Sequence, residues 1–182
     1  LKDLEAGWRY VVTEPAAAAP APGAAPVPAP PPLFARASLP FSRHRETKFD
    51  DFARQPLLPN QLSQLGGALA WGDVDGDGDD DLFVGGAAGQ EGELRLNDGR
   101  GVFEPQWVDA LVKDKDCEDM GAVFFDADAD GDLDLFVASG SYEFEPGAAT
   151  LRDRLYLNDG RGGLTRAPEG ALPDLRHSSG PV

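Results

Sequence analysis

Two short segments of the sequence carry aspartate at nearly every second position. Six aspartates fall within residues 73–81 and five within residues 126–134. Both segments follow the pattern D-x-D-x-D-G-D-x-D, and we call them the first and second Asp loops. The matching residues are Asp73, Asp75, Asp77, Asp79 and Asp81 in the first loop and Asp126, Asp128, Asp130, Asp132 and Asp134 in the second. Carboxylates this close repel one another unless a cation lies among them.

The spacing of these aspartates suits a hard divalent cation. Ca2+ takes about six to eight oxygen ligands, and carboxylates at positions 1, 3, 5 and 9 of each loop can surround one point. Position 7 would add its backbone carbonyl, and the glycine at position 6, Gly78 or Gly131, permits the sharp turn. The sequence therefore predicts two Ca2+ sites.

Other interpretations of the acidic segments fit less well. A solvated acidic surface would not alternate aspartate with small residues and then end in the strand-like run LFV. An EF-hand needs a glutamate at position 12 and flanking helices, whereas position 12 is Val84 in one loop and Val137 in the other. Mg2+ prefers a tighter octahedral cage that keeps several waters, so Ca2+ is favoured.

The Asp loops belong to a longer internal repeat. The segment that begins at Ala68 aligns without gaps, at an offset of 53 residues, with the segment around Ala122, and LNDGRG at residues 96–101 recurs at 157–162. The second copy carries extra residues, which we place in a loop before its third strand. We expect repeats at about residues 63–116 and 117–178.

Each repeat is typical of β structure. Short apolar runs enter and leave the Asp loop, an alternating segment (GELRL or DRLYL) follows, and NDGRG forms a turn before a last short strand. Four strands per repeat predict an all-β fold of β-propeller blades, each with four antiparallel strands and a Ca2+-binding loop between its first two strands.

Composition excludes several functions. The net charge of −16 would repel a phosphate backbone, so nucleic-acid binding is not expected. The sequence contains no apolar run long enough to span a membrane. Cys117 is the single cysteine, which excludes an intrachain disulfide, and its polar surroundings do not favour a nucleophile.

The N-terminal part differs from the repeats. Residues 1–14 contain one amphipathic strand pattern, interpreted as the end of a preceding module, and residues 15–32 are almost entirely proline and alanine, which predicts a semi-rigid linker. We assign residues 33–182 to the repeat domain.

The motifs resemble those of a known family. The DxDxDGDxDL loops between short strands are similar to the FG-GAP or VCBS repeats of integrin-α-like β-propellers. The longer run from Arg43 to Gln90, with EDMGAVFFDADADGDLDLFVASG and DRLYLNDGRG, resembles bacterial secreted proteins that carry FG-GAP arrays beside an ASPIC/UnbV module. The resemblance covers roughly residues 34–182 and implies a calcium-stiffened propeller. It also implies that Asp79 and Asp132 act through their carbonyls while the other matched aspartates bind through side chains.

The two repeats are fewer than a closed propeller needs. Propellers have about four to eight blades, and the last residues, HSSGPV, resemble the approach to a third repeat. We therefore expect further blades or partner chains to complete the ring.

Two departures from the motif concern the Asp loops themselves. Asp80, at position 8 of the first loop, is expected to point outward. Ala129 replaces the glycine found at Gly76, a harmless change if that position needs no positive φ.

Residues outside the loops receive plainer interpretations. Trp71 is expected to pack between blades, and Glu118 and Asp119 to approach an Asp loop from a neighbouring strand. His44 and His177 are interpreted as surface or hydrogen-bonding residues.

These features predict a noncatalytic calcium-binding scaffold outside the cytoplasm, whether secreted, periplasmic or on the cell surface, that binds protein or carbohydrate. The alternative is part of a propeller enzyme, a hydrolase or lyase whose catalytic residues lie outside this segment. The sequence contains no GxSxG or HExxH motif, which favours the scaffold.

Overall fold

The computed structural model describes residues 41–173. The strand predicted within residues 1–14, the linker at 15–32 and His177 lie outside the described residues. The described part contains eight strands, two short α-helices and one 3-10 helix. Their bounds are β1 (Leu69–Gly72), β2 (Asp81–Val84), β3 (Glu93–Asn97), β4 (Phe103–Gln106), β5 (Asp119–Phe125), β6 (Asp134–Ser139), β7 (Arg154–Leu157), β8 (Thr165–Arg166), α1 (Asp51–Arg54), α2 (Asp109–Lys113) and the 3-10 helix (Ala149–Leu151).

The strands form two four-stranded antiparallel sheets in simple chain order, β1-β2-β3-β4 and β5-β6-β7-β8. The mostly β prediction is confirmed at this level. Gly72 pairs with Asp81 and Phe125 with Asp134, so each Asp loop joins the first two strands of its sheet. The sheets lie within the two predicted repeat ranges, whose boundaries stay a prediction. No helix in residues 41–173 is both long and apolar enough to cross a membrane.

Both sheets contribute to one hydrophobic core. Its buried side chains come from the first sheet, the second sheet and α2; they are Ala70, Val74, Phe83, Leu94, Val108, Leu111, Leu135, Val137, Tyr156 and Leu164. Gly72 allows the sheets to approach closely, because a Cβ there would lie 3.0 Å from Leu133 Cδ1 and 3.1 Å from Phe124 Cβ. A larger residue at this position would push the sheets apart.

The opposite faces of the first strands remain exposed. In β1 the side chains of Leu69 and Trp71 are 60% and 55% exposed, and in β5 those of Val123 and Phe125 are 49% and 42% exposed. This alternation follows from the two-residue period of a strand. The prediction that Trp71 packs between blades is wrong for these two sheets. Its ring instead meets Phe103 edge to face, with centroids 5.9 Å apart.

A buried ion pair lies where β5 begins. Asp119 Oδ1 pairs with the Arg154 guanidinium, and both side chains are almost fully buried. Asp119 Oδ2 accepts a hydrogen bond from the Gly86 backbone N–H at 2.8 Å, and the Asp119 carbonyl accepts one from Ala68 N–H at 2.9 Å. Asp119 therefore joins the two sheets. The expectation that it approaches an Asp loop is wrong, since its carboxylate is engaged by Arg154 and Gly86.

Replacing Asp119 by asparagine tests this pair. Asp119→Asn leaves the Arg154 charge buried without a counter-charge, so we expect the free energy of unfolding to fall by about 3–5 kcal/mol in urea titrations. The matched control is Glu145→Gln, because Glu145 pairs with Arg54 while 87% of its side chain is exposed. The control should cost less than about 1 kcal/mol. Equal losses for the two variants would contradict the importance of the buried pair.

Candidate metal centre

The first aspartate of each Asp loop organises the turn. Asp73 Oδ1 accepts hydrogen bonds from the backbone N–H groups of Gly76 at 2.8 Å and Asp77 at 3.1 Å, and Oδ2 accepts one from Gly78 at 3.0 Å. Asp126 accepts equivalent bonds from Ala129 at 2.7 Å and Gly131 at 3.2 Å. These bonds curl the backbone around the carboxylate, as in an Asx turn.

The aspartates at positions 3 and 5 accept hydrogen bonds from nearby backbone. Asp75 Oδ1 accepts a long bond from Asp77 N–H at 3.3 Å, and Asp77 Oδ1 accepts one from Asp79 N–H at 3.0 Å. Asp128 and Asp130 repeat both bonds at the same distances. The position 3 carboxylates thus keep most of their acceptor capacity.

The aspartate at position 9 closes each loop from within the fold. Asp81 and Asp134 are fully buried. Asp81 accepts from Val74 N–H at 2.9 Å and from Asn97 N–H at 2.8 Å. Asp134 accepts the matching bonds from Ala127 and Asn158, both at 2.8 Å. One carboxylate therefore connects the start of each loop to the end of the third strand.

Three carboxylates converge in each loop. One oxygen from each member of the group lies within 4.8 Å of the others, and the groups are Asp73, Asp75 and Asp81, and Asp126, Asp128 and Asp134. These clusters can hold a metal ion. Asp77 and Asp130, predicted as side-chain ligands, do not belong to these close groups.

The position 7 side chains lie against a turn of the same repeat. A Cβ on Gly99 would overlap the carboxylate of Asp79, and one on Gly160 would overlap that of Asp132. The first glycine of each LNDGRG segment is therefore needed where the Asp loop approaches it.

Asp80, at position 8 of the first loop, was expected to point outward, and it is exposed.

The pKa values reflect the crowding of negative charge. Desolvation and the neighbouring charges of Asp77 and Asp73 raise the pKa of Asp75 above its usual value. Burial raises the pKa of Asp81 as well, against the opposing effect of its two backbone hydrogen bonds. In both cases the charged form is disfavoured, and a bound cation would favour it again.

Position 4 of the loop needs a left-handed backbone. Gly76 has φ of 77° and Ala129 has φ of 64°. The substitution of alanine at 129 is therefore not harmless, since a residue with a Cβ is strained at positive φ. The sequence comparison of the two repeats could not reveal this, because it does not give the backbone angle.

The asparagine of LNDGRG was interpreted only as part of a turn, yet it docks the Asp loop. Asn97 Nδ2 donates to the Asp80 carbonyl at 3.1 Å, and Asn158 Nδ2 donates to the Leu133 carbonyl at 3.0 Å. Asn158 also donates to the Val74 carbonyl of the first loop at 2.7 Å. The two Asp loops are thus bridged by one side chain. The identical recurrence of LNDGRG was the available signal.

Cys117 lies close to the start of β5 and is partly exposed. Burial raises the pKa of its thiol above the usual value. The thiol therefore stays protonated at neutral pH, which does not suit a nucleophile.

Comparison with known families points to the same region. A family model described as an FG-GAP-like repeat matches residues 73–137, which contain both Asp loops. No curated protein matches the chain significantly.

Exchanging glycine and alanine at position 4 tests the backbone strain. Ala129→Gly should raise the free energy of unfolding by roughly 0.5–1 kcal/mol, because relief of the positive-φ strain exceeds the entropy that glycine adds to the unfolded chain. Gly76→Ala should lower it by a similar amount. Urea titration in chelator measures both without a contribution from bound metal. If both substitutions stabilise the protein, or if neither does, the backbone at position 4 is not strained as described.

Removing the two asparagines tests how the loops are joined. Asn158→Ala should lower the free energy of unfolding by about 1–3 kcal/mol, because it removes the two hydrogen bonds that Nδ2 donates to the Val74 and Leu133 carbonyls and the one that Oδ1 accepts from Asp159 N–H. Asn97→Ala removes two exposed hydrogen bonds, to the Asp80 carbonyl and from Gly99 N–H, and should cost about 1 kcal/mol. Amide hydrogen exchange should show faster exchange in both Asp loops for Asn158→Ala and in the first loop alone for Asn97→Ala. If Asn158→Ala speeds amide exchange in the second loop alone, the bridge that Asn158 makes between the two loops is contradicted.

Proposed function

We propose that this chain, which carries an FG-GAP-like repeat segment at residues 73–137, is a noncatalytic calcium-binding scaffold built from β-propeller blades. The observation that carries the proposal is the duplicated geometry of the Asp loops. The same hydrogen bonds recur at positions 1, 3, 5 and 9, and three carboxylates converge in each loop. A duplicated arrangement of this kind favours a shared ligand over a chance acidic surface.

The donor set of each loop fits calcium. All converging side chains offer carboxylate oxygen, without nitrogen or sulfur, and Ca2+ prefers several flexible oxygen ligands. Asp73, Asp75 and Asp81 would hold one ion, with Asp77 and the carbonyl of Asp79 as the further ligands expected from the motif. Asp126, Asp128 and Asp134 would hold the second, with Asp130 and the carbonyl of Asp132.

The function of the ions would be mechanical. Without a cation the carboxylates repel one another, which favours opening of the loop. A bound ion removes this repulsion and fixes the turn between the first two strands of each sheet. Because Asn158 bridges both loops, ordering one loop would also support the other.

A calcium-dependent scaffold of this kind would work outside the cytoplasm. Extracellular calcium modules bind with dissociation constants of about 10⁻⁴–10⁻³ M, so they fill where calcium is millimolar. FG-GAP repeats are typical of extracellular proteins, which supports the same location. We also propose that the chain is related to the secreted bacterial proteins that carry FG-GAP arrays beside an ASPIC/UnbV module.

The exposed faces of β1 and β5 support the presence of further blades or partner chains. Leu69 and Trp71 on one sheet and Val123 and Phe125 on the other point away from the shared core. Exposed apolar groups of this size are typical of surfaces that meet another protein surface. A completed propeller would cover these faces and present loops to a protein or carbohydrate ligand.

Calorimetric titration of Ca2+ tests the proposal. The chain should bind two ions and melt at a lower temperature in chelator, since calcium at a hundredfold its dissociation constant adds about 2.7 kcal/mol per site. Asp75→Asn should weaken calcium binding at the first site and Asp128→Asn at the second, because an amide oxygen carries no charge and is a weaker ligand than a carboxylate. These positions are chosen because each side chain makes one long backbone bond, so the loop should keep its fold.

The matched control is Asp80→Asn, which removes the same charge from an exposed position of the first loop. It should retain both sites with nearly unchanged affinity. Loss of affinity equal to that of Asp75→Asn would show general electrostatic attraction without a defined site. Absence of calcium binding to the folded chain would overturn the proposal.

A further inference from the structure

A third group of potential metal ligands lies outside the Asp loops. A nitrogen of His44 and carboxylate oxygens of Glu46 and Glu118 lie within 4.8 Å of one another. His44 and Glu46 precede α1, and Glu118 comes directly before β5. We propose that His44, Glu46 and Glu118 bind a divalent transition metal ion of the zinc type. This site shares no residue with the Asp loops.

The unsatisfied polar atoms of this group indicate a missing cation. His44 Nδ1, Glu46 Oε2 and Glu118 Oε1 are buried and have no hydrogen-bond partner among the described residues. The Glu118 residue is only 1% exposed. Leaving a buried acceptor unpaired costs about 1–3 kcal/mol, and native structures contain few such groups. Each of the three residues in this close group therefore carries one buried polar atom without a partner, and a shared metal ion explains all three.

The surrounding structure holds these side chains in place. The Ala88 N–H donates to Glu118 Oε2 at 3.1 Å, which leaves Oε1 as the orphaned atom. A Cβ on Gly67 would overlap the Gly85 carbonyl oxygen and lie 3.1 Å from His44 Nδ1, so glycine at this position leaves room for both the backbone and the ring. Gln90 fixes the histidine segment, since its Oε1 accepts from Arg45 N–H at 2.9 Å. The ligands are thus oriented before an ion binds.

The charge of the group also favours a divalent ion. Two of its three side chains are glutamates, and their ionised carboxylates would together carry two negative charges, which a divalent cation neutralises. His44 Nε2 lies 2.7 Å from Glu46 Oε1, so the imidazole is already next to one carboxylate.

The imidazole distinguishes this site from the Asp loops. Calcium and magnesium take oxygen ligands, whereas imidazole is a preferred ligand of zinc and similar transition metals. Three protein ligands with a fourth position for water are typical of open zinc sites. A metal here would connect the segment at residues 44–46 to the start of β5, where the two sheets meet.

Zinc titration in excess Ca2+ tests the site, because calcium occupies the Asp loops and leaves the His44 group free. We expect one Zn2+ ion per chain by calorimetry. Changing a group that only orients a ligand lowers metal affinity by roughly 10- to 100-fold. His44→Gln and Glu118→Gln remove ligands themselves, so each should lower the affinity for Zn2+ by more than this. The matched control is Glu143→Gln, which removes a nearby charge but no ligand and should lower affinity by less than about 10-fold.

Nuclear magnetic resonance of the histidine side chains provides a readout in the unaltered protein. The sequence contains two histidines, so the imidazole signals of His44 can be assigned by comparison with His44→Gln. Zinc added in the presence of calcium should shift the His44 signals. Zinc binding that leaves these signals unchanged, zinc binding that calcium displaces, or no zinc binding by the folded protein would each overturn the proposal. None of these outcomes bears on calcium binding by the Asp loops.

Discussion

Repulsion among carboxylates gathered in two tight turns is the constraint on which the rest of the structure depends. Each Asp loop offsets part of this repulsion with backbone N–H groups, which point at the first and last aspartates and bend the chain around them. Backbone dipoles do not neutralise the remaining carboxylates, however, and the raised pKa values of Asp75 and Asp81 show that the charged forms remain disfavoured. A cation bound in either loop would favour these charged forms again.

The sheets and the loops support each other through a few polar groups. The buried aspartate at position 9 begins the second strand and accepts a hydrogen bond from the end of the third, so one member of each carboxylate cluster is also part of the sheet. Asn158 extends this connection to the neighbouring repeat. At the opposite end of β1, Asp119 joins the sheets by accepting hydrogen bonds from Gly86 N–H and Ala68 N–H, while Arg154 of its own sheet neutralises its charge. Strand order, loop shape and sheet packing are consequently coupled.

Much of the fold and part of the candidate site could be predicted from the sequence. Strand order followed from apolar runs and turn residues repeated in register, because these signals are local. The convergence of Asp73, Asp75 and Asp81 likewise followed from their spacing. The positive φ of Ala129 was not predicted, since its side chain gives no indication of the backbone angle the loop imposes. Trp71 was misplaced because alternation shows that a strand has two faces but not which one meets the neighbouring sheet.

The sequence by itself determined which residues carry the concentrated charge and which strands flank them, since both depend on neighbours within about ten positions of the chain. The tertiary structure decided which distant groups meet. His44 and Glu46 are read locally as ordinary polar residues, and only folding brings them to the buried Glu118. The same is true of Asn158 and the Val74 carbonyl. Such contacts depend on how two sheets pack, and packing is set by the shape of the whole core.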